Sequence, residues 1–311
     1  MPEQKEFYFP SSTGKNQIYV RMWIPDGDVE IKGTVQLSHG IAEGIDRYDD
    51  FAQFLAKNGY AVIGNDHLGH AKSISDPSEK GFFAEENGWA YVVADLKGIY
   101  NQVRELFPNV PHVLFGHSMG SFLARTYIIK YPTDFDACII SGTGNQAALI
   151  VNTGYTIANS QVKKNGPHGD GTKMANLSMG GYNKGFDAKN GETAWLTRDK
   201  DVVASYDANP DYGFTAQVSV YRDMLGGIKL VTDKNNIAKV NKNMPILVFS
   251  GSDDPVGEKG KGPKKCADAY KKAGVKDVTL KLYPGGRHEM LNEINKEQVY
   301  DDILNWINSK V

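Results

Sequence analysis

VLFGHSMGS, residues 113–121, runs from a short β-branched and aromatic segment straight into a serine walled by two glycines. An ordinary strand-to-helix turn would not need both glycines. A sharp turn that brings neighbouring backbones together would, because a Cβ at 116 or 120 would clash. Such a turn lifts the Ser118 hydroxyl clear of the strand end. The helix that follows then aims its N-terminal N–H groups at the same place, favouring developing negative charge. Five residues with three fixed match by chance, so the surrounding pattern decides whether Ser118 is a nucleophile or part of a plain turn.

That pattern is an alternation. Short apolar runs occur at 34–40, 61–66, 112–118, 137–143, 245–254 and 278–286, and nearly all end in Gly, Ser, Asp or His. Segments of helical period lie between most of them, at 47–59, 88–107, 121–132 and 262–274. Strands alternating with helices predict a parallel sheet covered on both faces. Near-continuous apolar strands are what such burial requires. The N-terminal EFYFPS and QIYVRMWIP, joined by STGKN, predict an antiparallel hairpin at the sheet edge.

The rhythm breaks between about Thr143 and Phe214. Ala147, Ile150, Val151, Gly154, Tyr155, Ala158 and Val162 recur at helical spacing. A polar, glycine-rich loop follows, and then WLTRDKDVVASYDANP, which reads as a further helix. The expected organisation is an α/β core over 1–142, an inserted helical cap over 143–214, and the rest of the core over 215–311. The apolar stripe of the cap reads either as core packing or as an acyl-binding roof. On the second reading Ile150, Val151 and Tyr155 are candidate substrate contacts.

Composition narrows the function classes. The chain has 311 residues, enough for one large domain with an insertion, and 41% hydrophobic and 23% charged residues place it among globular proteins. A formal net charge of −2 gives no electrostatic case for nucleic acid. Cys138 and Cys266 have neither metal nor redox spacing. MPEQKEFYFP lacks the apolar region of a signal peptide, and no apolar run approaches the roughly 18 residues of a spanning helix. The expectation is a cytoplasmic protein.

Ligands of open parallel sheets bind beyond the carboxyl ends of the strands. The residues at those ends are His39 with Gly40, Asp66, Ser118, the Asp253/Asp254 pair and His288. A serine hydroxyl is a weak nucleophile until a base takes its proton, and the base needs an orienting acid. His288 is the candidate base. Asp254 is the candidate acid, with Asp253 as the alternative. A tetrahedral intermediate needs two N–H donors. The Met119 N–H follows the nucleophile, and Ile41, in the loop after VQLSHG, supplies the second. Glu43 is expected to brace that loop. Two further motifs read as structural. DHLGH (66–70) offers an H-x-x-H pair without a third ligand, so no metal is implied. GEKGKG (257–262) lacks the G-K-[ST] ending of a phosphate-binding loop.

Together SHGIAEGIDRY (38–48), DHLGHAKS (66–73), GHSMGS (116–121), SGSDDP (250–255) and YPGGRHE (283–289) resemble the α/β-hydrolase superfamily. Within it they are most similar to the branch of monoacylglycerol lipases and bacterial lysophospholipases, of serine aminopeptidase S33 type. WLTRD (195–199) and NPDYGF…YRDML (209–225) resemble the bacterial members. The resemblance implies an α/β-hydrolase fold with a cap and a Ser…Asp…His triad. Its G-S-x-D pattern favours Asp254 over Asp253, and its loop pattern places the oxyanion donor at Ile41. Ser121 replaces the family's second glycine after the motif. Gly257 stands where monoacylglycerol lipases carry a cysteine, which favours a broader esterase or lysophospholipase.

The expected function is a cofactor-free serine hydrolase that cleaves monoacylglycerol or lysophospholipid-type acyl esters through an acyl-enzyme, with transient membrane-surface contact through the cap. A small-ester carboxylesterase, thioesterase, amidase or proline-type aminopeptidase could use the same residues. So could a ligand-sensing relative with little turnover.

Overall fold

The computed structural model describes residues 2–27 and 29–311. Eight strands form one sheet: β1 (Glu3–Pro10), β2 (Gln17–Ile24), β3 (Gly33–Ser38), β4 (Tyr60–Asn65), β5 (His112–His117), β6 (Ala137–Ser141), β7 (Ile246–Gly251) and β8 (Val278–Tyr283). Their spatial order is β1-β2-β4-β3-β5-β6-β7-β8. Pairing is parallel from β4 through β3 to β8, while β2 is antiparallel to both β1 and β4. The expected edge hairpin is therefore present, and the sheet is mostly parallel.

The helices are α1 (Asp49–Lys57), α2 (Gly88–Leu106), α3 (Met119–Lys130), α4 (Ala148–Asn165), α5 (Thr172–Ser178), α6 (Lys200–Ala208), α7 (Val218–Thr232), α8 (Lys234–Ile237), α9 (Lys261–Lys272) and α10 (Lys296–Asn308). Strand β5 shows how they are placed. Its side chains alternate, so Leu114 joins one core while Val113 and Phe115 join the other. The first core takes apolar residues of α2, α3, α7 and α9, and the second those of α1 and α10. Both faces of the sheet are covered, as a parallel sheet requires.

Helices α5, α7, α8 and α10 are additions to the elements expected from the sequence. In α7, Gly226 and Gly227 and several β-branched residues weaken the local helix signal. Tertiary contact explains them: a Cβ at Gly227 would lie 2.2 Å from the Trp89 ring of α2. The helix expected across WLTRDKDVVASYDANP starts only at Lys200. The Asp199 carboxylate caps it by accepting the N–H groups of Asp201 and Val202, which leaves residues 195–198 outside the helix. Among the described residues no helix is long and apolar enough to cross a membrane.

Candidate active site

Strand β5 delivers Ser118 to the carboxyl edge near the middle of the sheet. Its backbone sits at φ 54°, ψ −119°, a conformation that L-residues avoid. The two glycines permit it. A Cβ on Gly116 would lie 2.3 Å from the Gly120 carbonyl oxygen, and one on Gly120 would lie 2.0 Å from that of Ser38. Helix α3 thus meets β3 backbone to backbone, and Ser118 stands at its N-terminus.

Strand β7 ends in the loop that carries both aspartates, and the structure separates them. Asp254 is fully buried and its Oδ1 lies 3.0 Å from His288 Nδ1. Its carboxylate also accepts the Ser250 hydroxyl (2.6 Å) and the Val256 N–H (2.9 Å). Burial works against its charge, but His288 and these donors outweigh it and hold the carboxyl below its usual range. Asp253 is exposed and bonds the Ser252 hydroxyl instead. Burial likewise opposes a charged His288, yet the Asp254 carboxylate outweighs it and raises the imidazole pKa. His288 Nε2 is buried without a hydrogen-bond partner, and His288 and Ser118 line one cavity. Ser118 is not hydrogen-bonded to it here, the looser geometry common in unliganded sites.

The cavity measures about 360 Å³. Ile41 and Met119, the two expected N–H donors, both lie on its wall. Gly40 passes so close that a Cβ there would sit 3.1 Å from Ser118 Cβ. Of the three cap candidates, Ile150 and Val151 of α4 line the cavity. Tyr155 does not: its ring packs toward α7, 3.5 Å from where a Cβ of Gly226 would be. Tyr155 lies one turn further along the same face of α4 as Val151, where that face packs on α7 instead of on the cavity. Phe122, Met224, Leu225 and Ile228 are among the residues that make the rest of the cavity wall mostly apolar.

The loop at 40–43 is braced from below, by residues that sequence reading reached only in part. Glu43 Oε1 accepts the Gly40 N–H (2.5 Å) and the Tyr48 hydroxyl (2.9 Å). Glu43 Oε2 accepts Arg47 Nη1 at 2.7 Å. Arg47 also forks onto Glu289, beside His288, at 2.5 and 2.6 Å. From above, the Tyr206 hydroxyl and the Gly213 N–H both donate to the Ala42 carbonyl. The sequence signal for Arg47 and Glu289 was proximity to GIAEG and His288, but neither spacing reveals that they meet. Gly142, at φ 58°, is another unread contributor: a Cβ there would lie 2.8 Å from His117 and 2.9 Å from His288.

The histidines of SHG and DHLGH form a buried group without metal geometry. His39 Nε2 accepts the His67 N–H at 2.9 Å, so its proton resides on Nδ1, which donates to the Gly40 carbonyl at 2.7 Å. Burial pushes His39 down to about 4 and His70 to about 3, so both are neutral. Asp66, pushed up to about 7 by burial, accepts the N–H groups of Ile45 and Lys72. Among the described residues no group of three His, Cys, Asp or Glu is arranged to hold a metal ion.

A family model described as serine aminopeptidase, S33, matches residues 29–295. The chain belongs to this family of α/β-hydrolases. It is 28% identical to the monoacylglycerol lipase of Mycolicibacterium smegmatis, over 96% of this chain and 95% of that one. It is 26% identical to the rat (Rattus norvegicus) monoglyceride lipase, over 94% of this chain and 88% of that one. Among solved structures it resembles a thermostable carboxyl esterase from Bacillus coagulans in complex with glycerol. That match has a TM-score of 0.91 and 25% identity, and covers 99% of this chain and 98% of that one.

The Arg47–Glu289 pair makes stability depend on pH. Burial would raise the Glu289 carboxyl, but Arg47 overrides it and lowers the carboxyl from 4.5 to about 2. A depressed carboxylate stabilises the fold fully above its unfolded value and loses that contribution as pH falls through the folded one. Glu289→Gln is expected to destabilise the protein by roughly 3 kcal/mol near pH 7. In urea unfolding the gap to wild type should narrow once pH drops below 4.5. An equal gap at neutral pH and at about pH 3.5 would contradict the assignment.

Proposed function

We propose that Ser118, His288 and Asp254 are the catalytic triad of this enzyme, that the Ile41 and Met119 N–H groups bind the oxyanion, and that the substrate is a monoacylglycerol or lysophospholipid-type acyl ester. The chain is a serine carboxylic-ester hydrolase of the monoacylglycerol lipase-like group. The observation that carries the triad reading is His288. Nδ1 is committed to Asp254, and Nε2 is left unpartnered in the cavity it shares with Ser118.

The mechanism follows from those contacts. With its proton on Nδ1 facing Asp254, His288 offers the Nε2 lone pair to the Ser118 hydroxyl. Ser118 Oγ attacks the ester carbonyl as Nε2 takes its proton, and Asp254 stabilises the imidazolium. The carbonyl oxygen becomes an oxyanion facing the two N–H groups, where the N-terminal field of α3 also favours negative charge. Collapse expels the alcohol, which takes the proton back from His288. Water then repeats the sequence on the acyl-enzyme. The chemistry calls for no cofactor.

The insertion over 143–214 acts as the cap of the core formed by 1–142 and 215–311. Helices α4, α5 and α6 each contribute cavity residues, among them Val151, Leu177 and Tyr206. Leu149 (78% exposed), Ile150 (63%) and Leu177 (61%) lie on α4 and α5, and the last two also line the cavity. An apolar rim continuous with an apolar cavity suits a substrate withdrawn from a lipid surface, and supports transient membrane contact through the cap. Glycerol, present in the similar esterase structure, is the alcohol a monoacylglycerol would release. Cytoplasmic residence accords with two free, buried thiols, Cys138 and Cys266.

A fluorophosphonate probe is expected to label wild type and not Ser118→Ala. The variant should lose several orders of magnitude in kcat with its fold intact. Full esterase turnover by purified Ser118→Ala would overturn the triad. Substrate class is tested separately. Each methylene buried in the cavity contributes about 0.8 kcal/mol, so two added carbons should raise kcat/KM by about tenfold until the cavity is full. Measured on C2 to C16 esters below their micellar concentrations, kcat/KM should peak at C8 or longer. A maximum at C2 with steady decline would leave a small-ester hydrolase.

A further inference from the structure

We infer that Arg198 and Glu293 are positioning residues for His288: segment 194–199 of the insertion straps down the loop that carries the imidazole, and the half-buried Arg198, paired with the buried Glu293, fastens it. The inference rests on the triad reading above, since positioning matters only if His288 is the base.

The loop at 287–295 has almost no regular structure of its own, only a single short turn at Met290–Asn292. Its shape is imposed from outside. Glu293 is buried, and its carboxylate accepts four N–H groups. Oε1 takes the backbone N–H of Arg287 (2.9 Å) and of Arg198 (3.2 Å). Oε2 takes Arg198 Nε (2.9 Å) and the Ile294 N–H (3.1 Å). Arg198 Nη2 reaches on to Asn295 Oδ1 at 3.0 Å. Arg287 returns the connection in the opposite direction, donating Nη1 to the carbonyls of Ala194 and Thr197. The Thr197 hydroxyl donates to the Asn292 carbonyl at 2.8 Å.

Between these fastenings the backbones meet directly. The His288 N–H points at the Trp195 carbonyl (3.4 Å) and the Glu289 N–H at that of Leu196 (2.7 Å). The strap thereby places the Trp195 ring 5.1 Å from the His288 ring. His117 contacts the same imidazole, with ring centroids 4.7 Å apart. Asp254 fixes one nitrogen of the imidazole but not its tilt about that bond. Trp195 and His117 restrict the tilt, and Trp195 is held by the strap together with Asn183, whose Oδ1 accepts the Trp195 N–H at 3.1 Å, and the Tyr182 ring at 5.1 Å. Nothing in the general chemistry of a triad requires the base to be held by the cap. Here residues 194–199 cannot move away from the core without breaking their bonds to the loop that carries His288.

The test uses the whole protein as wild type, Arg198→Met, Arg198→Lys, Thr197→Val and Ser118→Ala. The readouts are kcat and KM on a p-nitrophenyl ester, the rate of fluorophosphonate labelling, and the downfield proton resonance of His288 Nδ1–H. Arg198→Met should lower kcat and labelling rate by about 10- to 100-fold with KM little changed, as expected when a reacting group is misplaced. Its downfield resonance should broaden or vanish. Arg198→Lys should recover part of the loss, because a point charge can pair with Glu293 but cannot fork. A folded Arg198→Met with wild-type kcat, labelling and resonance would overturn the inference, even if its melting temperature fell. Should Arg198→Met fail to fold, Thr197→Val removes one fastening at similar side-chain size, and normal values of all three readouts there overturn it equally. Wild type that is not labelled at Ser118 would instead refute the triad, a result distinct from labelling that is equal in every variant but Ser118→Ala.

Discussion

The strained backbone at Ser118 is the constraint on which the remaining architecture depends. A residue at φ 54° and ψ −119° persists only where its surroundings leave it no alternative. Here the surroundings are backbone: Gly116 against the Gly120 carbonyl, and Gly120 against the Ser38 carbonyl. The same close approach brings the chain after β3 past the serine, so Ile41 and Met119 line one cavity. One steric arrangement thus sets the position of Ser118, the helix end behind it and the loop beside it.

The second requirement is to keep charged groups buried without leaving them unpaired. Arg47 joins two buried carboxylates, one in the loop beside Ser118 and one next to His288, and it packs beneath the Tyr206 ring at 4.7 Å. Glu293 performs the same task from the other side of His288, drawing four N–H donors from the loop and the insertion. Buried ion pairs of this sort add little net stability compared with apolar packing, but breaking one is costly. Their value here is geometric. They tie three segments far apart in sequence, at 40–47, 194–199 and 287–295, into one rigid surround for the imidazole.

Much of this was legible in the sequence, and the reasons differ by element. The central strands were readable because burial on both faces leaves nearly continuous apolar runs, as in HVLFGH and ILVFSG. Ser118 and His288 were readable because each lies just past a strand end in a motif with few other uses. Asp254 and Asp253 could not be told apart by residue type. The G-S-x-D pattern of the resembled family favoured Asp254, and depth is the physical difference between them: one is fully buried and bonded to His288, the other exposed. Helix α7 was hidden because Gly226 and Gly227 weaken its local signal, and Gly227 answers a contact with Trp89 that no local pattern encodes. Tyr155 shared the helical stripe with Val151 yet faces α7, because periodicity marks a buried face without saying what lies across from it. WLTRD read as the start of a helix, whereas the Asp199 cap begins the helix later and frees the preceding residues to bond the histidine loop.

The central claim is that Asp254, through His288, makes Ser118 reactive. The most direct measurement compares kcat of Asp254→Asn and Asp253→Asn on the same ester, with folding checked by circular dichroism. An amide at 254 would present a donor to Nδ1 and favour the wrong tautomer, so Asp254→Asn is predicted to lower kcat on the order of 10⁴-fold. Asp253→Asn, changed at an exposed side chain, is predicted to stay within about threefold of wild type. Near-normal turnover by Asp254→Asn, or a larger loss in Asp253→Asn, would contradict the account.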